Sequence, residues 1–254
     1  MTRTPKKTDQ TTRVDRRRAL KWLMAAPPLL VIPFSFRTRA EGKKPYDWEQ
    51  HYWGYVVDST KCIGCCACMR ACRAENDVPD GVYRTWVERY RIDSKGKVAV
   101  DFAKNMNNTF APIEGDVAKA FFVPKICNHC EKSVCSQVCP VGASYYTKDG
   151  VVLVDEKRCI GCGYCVQACP YGTRFINPKT HLADKCTLCY HRITRGLLPA
   201  CVQSCPKEAR LIGDLKDPKS KLNTILRQRR HVLLRPDLGT HPKCYYIGLD
   251  TEVV

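Results

Sequence analysis

Residues 159–170, CIGCGYCVQACP, place thiols at Cys159, Cys162, Cys165 and Cys169 and set Pro170 behind the last of them. A disulfide uses two thiols, and a structural zinc usually gathers its ligands from two separate knuckles. The device recurs along the chain. Cys62, Cys65, Cys68 and Cys72 form C-x2-C-x2-C-x3-C. Cys127, Cys130, Cys135 and Cys139 form C-x2-C-x4-C-x3-C, followed by Pro140. Cys186, Cys189, Cys201 and Cys205 form C-x2-C-x11-C-x3-C, followed by Pro206. Of the 18 cysteines only Cys66 and Cys244 stand outside these groups.

Spacing of this kind has a mechanical reading. Three cysteines on a tight loop reach three corners of one Fe4S4 cube. The fourth, expected on a short helix just past the loop, points away; in two-cluster ferredoxins it ligates the other cube. Gly64 and Gly161 are expected to relieve crowding where backbone approaches sulfur, and loop amides to donate hydrogen bonds to sulfur. The following proline ends the turn. A disulfide scaffold would have to pair four regular C-x2-C groups against strain. Zinc ribbons leave the C-x3-C-P endings unexplained. A [3Fe–4S] centre would show a missing or replaced cysteine, and none of the sixteen is missing. The pattern therefore predicts four [4Fe–4S] clusters.

The elements that must hold these groups leave their own marks. YVVDSTKCIGC (55–65) aligns with VLVDEKRCIGC (152–162), an apolar strand leading through aspartate into Cys-Ile-Gly-Cys, which is an internal repeat. The second and third groups are joined by VGASYYTKDGVVLVDEKR, which reads as a hairpin turning at Lys148-Asp149-Gly150. Those two groups make a compact bacterial-ferredoxin-like unit. In it Cys127, Cys130 and Cys135 hold one cube with Cys169, and Cys159, Cys162 and Cys165 hold the next with Cys139. The first and fourth groups are left to pair around it, in an arrangement that spacing leaves open.

Residues 83–92 and 97–102 read as strands joined by the turn Asp93-Ser94-Lys95-Gly96, either a hairpin covering a cluster or a docking surface. Residues 218–230 read as a helix capped by Asp217, with Pro218 first and Leu222, Ile225 and Leu226 on one face. Its arginines are either solvated or meet an acidic partner. Residues 236–247 read as an extended tail strapped along a partner, with Cys244 a plain thiol. His129, inside a cysteine loop, is expected to hydrogen-bond rather than ligate, because four thiolates already fill the cube; His191 is read the same way.

Composition narrows the class. With 18 cysteines and 9% aromatics in 254 residues, several small cross-linked or metal-held cores are expected rather than one large apolar core. The formal charge of +17 invites a nucleic-acid reading, but ten Lys/Arg and two Asp put +8 of it in residues 1–40. Sixteen thiolates and four oxidised cores of about +2 each would bring the remainder near +1. No basic stretch is interleaved with stacking aromatics.

DRRRALK (15–21) resembles a twin-arginine export signal, with Arg16 and Arg17 as the pair. The apolar run 22–36 carries three prolines and is too short to span a bilayer, so residues 1–40 are expected to be a signal peptide ending at Ala40. The rival reading is a basic tail beside a loosely anchored helix. Twin-arginine export moves folded proteins, which allows clusters to be inserted first. No later stretch reaches 18 apolar residues.

From residue 50 to 250 the chain resembles the four-cluster iron–sulfur subunits of the complex iron–sulfur molybdoenzymes, which serve dimethyl sulfoxide, polysulfide, thiosulfate and tetrathionate reductases. Similar proteins occur in formate-dependent nitrite reduction complexes and as the periplasmic iron–sulfur subunit of sulfite-reduction-associated membrane complexes. The resemblance rests on the four cysteine groups, FVPKICNHC (122–130), KCTLCYHRITRGLLPACVQSCP (185–206) and IGDL (212–215). It implies an α+β fold of two bacterial-ferredoxin-like 2[4Fe–4S] modules with long loops, a hairpin insertion and a C-terminal extension. The outer module is expected over 50–126 and 180–215 with the hairpin at 83–102, the inner one over 127–179, and a helix and partner-binding tail over 216–254. It further implies nested pairing: Cys62, Cys65 and Cys68 with Cys205, and Cys186, Cys189 and Cys201 with Cys72. Cys66 departs from relatives that carry a basic residue there.

No nucleophile–base pair, paired acid/base carboxylates or phosphate loop is evident. The expected function is electron relay at the periplasmic face of the cytoplasmic membrane. One expected partner is a membrane quinone-reactive subunit of the polysulfide-reductase type. The other is a molybdenum or tungsten catalytic subunit, a cytochrome or a dithiol module. The rivals are a non-redox zinc scaffold and a self-sufficient reductase, and the latter would need an open iron site.

Overall fold

A computed structural model describes residues 45–103, 110–250 and 253. The twin-arginine pair, the apolar run and the cleavage end expected at Ala40 lie outside the described residues.

The apolar run before the first cysteine group forms β1 (Trp53–Asp58), and its side chains alternate between two faces as a strand requires. Tyr55 and Val57 enter the main core, while Val56 packs beneath a helix on the opposite face. Arg210–Asp214 (β9) pairs antiparallel with β1, matching Tyr55 to Ile212. On its other side β1 pairs parallel with β11 (Cys244–Ile247), which in turn pairs with β10 (His231–Val232), giving the order β10-β11-β1-β9.

This sheet corrects the reading of the tail. Residues 244–247 do not strap a partner; they are an interior strand of the chain's own sheet, with Cys244 and Tyr246 fully buried. Cys244 and Tyr246 alternate with Tyr245, and that period-two burial is the signal that separates a strand from a strap.

The helix read over 218–230 is α6 (Lys221–Gln228). Its cap is Ser220, whose side chain accepts from the Asn223 N–H at 3.2 Å; Asp217 instead accepts from the Lys219 N–H in the preceding turn. The expected face holds: Leu222 is fully buried, with Ile225 and Leu226 beside it. Gly213 allows this approach, since a Cβ there would stand 2.4 Å from Leu222 Cβ.

The insertion before the second cysteine group contains the two expected strands, β2 (Thr85–Ile92) and β3 (Val98–Phe102). It also contains a third, β4 (Lys119–Ile126), which pairs with β2 over eight residues. Pro124 obscured β4 in the sequence, but β4 lies at the edge of the order β3-β2-β4, where a residue without an N–H is tolerated. Tyr90 and Phe121 stack across the pair, ring centroids 5.3 Å apart.

The hairpin read around Lys148-Asp149-Gly150 joins β5 (Ser144–Tyr146) to β6 (Val152–Val154). A second small hairpin joins β7 (Arg174–Ile176) to β8 (Ala183–Lys185). The module boundary expected at 179/180 therefore falls inside a hairpin turn. The two copies of the repeat also end alike. Asp58 accepts from the Thr60 N–H at 3.2 Å, and Asp155 accepts from the Lys157 N–H at 2.9 Å. In each copy the aspartate turns the strand into the cysteine loop.

Leu222→Ala should empty the contact of α6 with β1 and β11 and cost about 2–5 kcal/mol. The measurement is a lowered thermal midpoint of the anaerobic, iron-loaded chain, with the far-ultraviolet spectrum below the transition unchanged.

Candidate metal centre

Each cysteine group spans a loop and at least one turn of helix. In the first, Cys62 and Cys65 lie on the loop, while Cys68 and Cys72 lie on α1 (Ala67–Asn76). In the other three the third cysteine, not the fourth, is on a helix. Cys135 lies in α2 (Val134–Gln137), Cys165 in α3 (Tyr164–Gln167) and Cys201 in α5 (Ala200–Gln203). Cys139, Cys169 and Cys205 follow those helices by two residues. The expectation of a fourth cysteine on a helix thus holds only for Cys72. Elsewhere the C-x3-C spacing outruns a one-turn helix, and the proline behind it bars extension.

Gly64 and Gly161 have φ of +69° and +68°, where only glycine is unstrained. The Gly64 N–H donates to the Cys62 sulfur, the close approach expected there, and other segments press on both glycines as well. A Cβ on Gly64 would meet the Phe122 ring at 2.4 Å, and one on Gly161 the His181 carbonyl oxygen at 2.4 Å.

Distant cysteines converge. Cys62, Cys65 and Cys68 line one cavity with Cys205, alongside Cys66 and Arg210. Val87 and Pro124 of the insertion close the same cavity, so its sheet covers this centre. Cys127, Cys130, Cys135 and Cys169 line a second cavity, alongside His129 and Arg174. At a third place the Asn76 side-chain amide lies 3.6 Å from Cys72 Sγ and 3.7 Å from Cys189 Sγ. There Cys72 and Cys201 both act on the Cys186 thiol. Cys159 and Cys162 sit on the loop leading into α3, which carries Cys165 and packs on α2; Cys162 is the one exposed thiol among the described residues.

The electrostatics show what the sulfurs need. Burial pushes the Cys62 thiol up to about 11, and Cys72 and Cys130 to about 12. Cys186 is driven well up, by burial first and then by Cys127 and Cys72. Two thiols move the other way. For Cys127 the burial is outweighed by Lys185, the His129 N–H and Arg174. For Cys139 it is outweighed by the backbone N–H groups of Ser144, Val141, Ala143 and Gly142, a nest of amides. Neighbours donate to other sulfurs: Ala209 N–H to Cys205 at 3.2 Å, Leu188 N–H to Cys186 at 3.3 Å and Ala183 N–H to Cys159 at 3.4 Å.

Such a donor set suits a polycationic guest that neutralises four buried thiolates together. Four cysteines around one cavity fit a [4Fe–4S] cubane, which takes one sulfur ligand at each of four corners.

The remaining candidates resolve simply. Cys66, at φ +52°, donates from Sγ to the Gly64 carbonyl at 3.4 Å, and burial pushes it up to about 12. His129 accepts at Nδ1 from the Val152 N–H at 3.1 Å, and burial, then Lys185 and Lys243, hold it well below its usual value. Its proton therefore sits on Nε2. His191 pairs with Glu75 at 2.7 Å, half-exposed. Sequence reasoning missed Asn76, Tyr55 and Ser133, which reach Cys72, Cys201 and Cys135 from neighbouring turns and strands. Only Asn76, four residues past Cys72 on one helical face, leaves a trace in the spacing.

The 4Fe-4S dicluster domain matches residues 118–215. The chain is 44% identical over 223 residues to the B subunit of tetrathionate reductase from Salmonella typhimurium, covering 85% of this chain and 82% of that one. It is 46% identical over 212 residues to the B subunit of tetrathionate reductase from Archaeoglobus fulgidus, covering 83% and 89%. It is 38% identical over 198 residues to the B component of polysulfide reductase from Wolinella succinogenes, covering 77% and 93%.

Gly161→Ala should be far more damaging than Gly163→Ala. Both sit at positive φ, which costs about 1–2 kcal/mol for a residue with a Cβ, but Gly163 has open space where Gly161 meets the His181 carbonyl. Iron content of the purified variants should fall for the first and hold near wild type for the second.

Proposed function

This protein belongs to the family of iron–sulfur subunits of respiratory reductases that includes those of tetrathionate and polysulfide reductases, and from that premise we propose that it relays electrons through four [4Fe–4S] clusters between two partner subunits. One cluster is held by Cys62, Cys65, Cys68 and Cys205. A second is held by Cys186, Cys189, Cys201 and Cys72. The third is held by Cys127, Cys130, Cys135 and Cys169, and the fourth by Cys159, Cys162, Cys165 and Cys139. When bound, each cluster accepts and releases one electron.

The observation that carries this reading is the meeting of Cys205 with Cys62, Cys65 and Cys68 on one cavity, across more than half the chain. The protein's own part is to exclude water from the sulfurs, to aim amide and hydroxyl donors at them, and to fix their spacing through β1, β9 and the short helices. Amides on sulfur stabilise the more negative, reduced state and so raise the potential.

One proposed partner is a membrane quinone-reactive subunit of the polysulfide-reductase type, and the other a catalytic molybdenum or tungsten subunit, a cytochrome or a dithiol module. Membership of a family of multi-subunit reductases supports this pairing. Arg16 and Arg17 support export to the extracytoplasmic face with the clusters already in place. No helix among the described residues is long and apolar enough to cross a membrane, and attachment through a membrane partner agrees with that.

Anaerobically purified protein should hold about sixteen iron and about sixteen sulfide, with visible absorption bleached by dithionite. Cys205→Ser should remove about four iron or shift one cluster's spectrum and leave the rest in place. Colourless protein with about four zinc ions would overturn the reading.

A further inference from the structure

Five Lys or Arg side chains among the described residues are almost completely buried: Arg89, Arg174, Lys185, Arg210 and Lys243. Arg89 is paired with Asp101 at 2.6 Å, and Lys243 has Glu131 and Asp149 as its strongest charged neighbours. The other three have no carboxylate within salt-bridge distance among the described residues. Arg210 is 2% exposed, and neither of its terminal nitrogens has a hydrogen-bond partner. Arg174 is 4% exposed; one terminal nitrogen donates to Ser144 Oγ at 2.6 Å, while Nε and the other terminal nitrogen are unpartnered. Lys185, 1% exposed, donates only to the Val152 and Cys186 carbonyls. A buried charge without a counter-charge costs several kcal/mol, so each of these cations implies an anion beside it.

The sulfurs say where that anion is. Arg210 lines the cavity of Cys62, Cys65, Cys68 and Cys205 and also acts on Cys201 of the neighbouring set. Arg174 lines the cavity of Cys127, Cys130, Cys135 and Cys169 and also acts on Cys165 of its neighbouring set. Lys185 donates from Nζ to the Cys186 carbonyl at 2.7 Å on one side and on the other to the carbonyl of Val152, which lines the cavity of Cys127. The placement repeats in sequence as well. Arg174 and Arg210 are each the fifth residue after a closing cysteine, in CPYGTR and CPKEAR, and each opens a strand.

We propose that Arg210, Lys185 and Arg174 are inter-cluster cations, one in each of the three gaps along the row of four clusters, and that they set the potentials of the clusters they separate. This rests on the four-cluster reading above. A [4Fe–4S] cluster with four thiolates carries about −2 when oxidised and one more negative charge when reduced. A fixed guanidinium between two such groups favours the reduced state of both. It also screens the repulsion that would otherwise oppose holding electrons on neighbouring clusters. Arginine suits the role because it does not deprotonate in a protein. The cations are positioning residues: they act on the sulfur ligands and carry no electron.

The test is an EPR-monitored redox titration of the full-length, iron-replete protein. Wild type should show four one-electron steps; fewer would overturn the four-cluster reading itself. Arg174→Gln should cut the reduced-to-oxidised ratio at fixed poise at least tenfold, about 59 mV for a one-electron couple, in two of the four steps. Arg210→Gln should do the same to the other two, and Lys185→Gln to one step of each pair. Arg174→Lys and Arg210→Lys should stay near wild type. Four steps that ignore the Gln substitutions, or Lys variants displaced as far as the Gln variants, would overturn the inference. Where a Gln variant does not retain iron, native protein labelled with 15N-arginine decides: the reduced clusters should show hyperfine coupling to arginine nitrogen, and its absence would equally overturn the inference.

Discussion

Anionic sulfur does not belong in a protein interior, and the rest of this molecule answers to that fact. Thiol after thiol is pushed up by burial, from about 11 at Cys62 to about 12 at Cys72 and Cys130. Four such groups facing one cavity are tolerable only around a guest of high positive charge. The scaffold is therefore incomplete as a physical object without its inorganic contents. The small size of its secondary structure follows: one-turn helices and three-residue strands need little cohesion of their own when a guest cross-links them at four points. The larger sheets lie where that cross-linking ends, over the outer centre and beneath α6.

The cysteine groups and the repeat were legible because ligand spacing is a local property of the chain, fixed by loop curvature. The β5–β6 hairpin and the apolar face of α6 were legible for the same reason, since turn chemistry and helical periodicity act over a few residues. Contacts made at long range were harder to read. Pro124 disguised β4, because a proline is acceptable only at an edge and edge position is a tertiary property. The last strand was mistaken for a strap, because the partner that buries Cys244 and Tyr246 is β1, almost two hundred residues earlier. The glycines were legible as special from their loops, but the Phe122 ring and the His181 carbonyl that also press on them come from other segments.

The donors around sulfur divide in the same way. Most backbone N–H donors come from the cysteine loops or the turns just behind them, so a cysteine pattern implies them, whereas the Ala183 N–H reaches Cys159 from β8. Asn76, Tyr55 and Ser133 reach sulfur through their side chains, and a single sequence shows no reason for those residue types until the sulfurs have a place in space. Hydrogen bonds of this kind to ligand sulfur are among the means by which a protein tunes a cluster's potential.

The position of β11 has a consequence for how the molecule comes into being. A parallel strand that enters the interior of a sheet from residues 244–247 cannot be supplied until that stretch of chain has been made. Until residues 244–247 emerge from the ribosome, β1 has β9 on one side and nothing on the other. Tyr55, whose hydroxyl lies 3.3 Å from Cys201 Sγ, has one wall of its packing missing until then. The sheet is thus completed only once residues 244–247 have been made, and a polypeptide cut before them would present an open strand edge in place of a closed one.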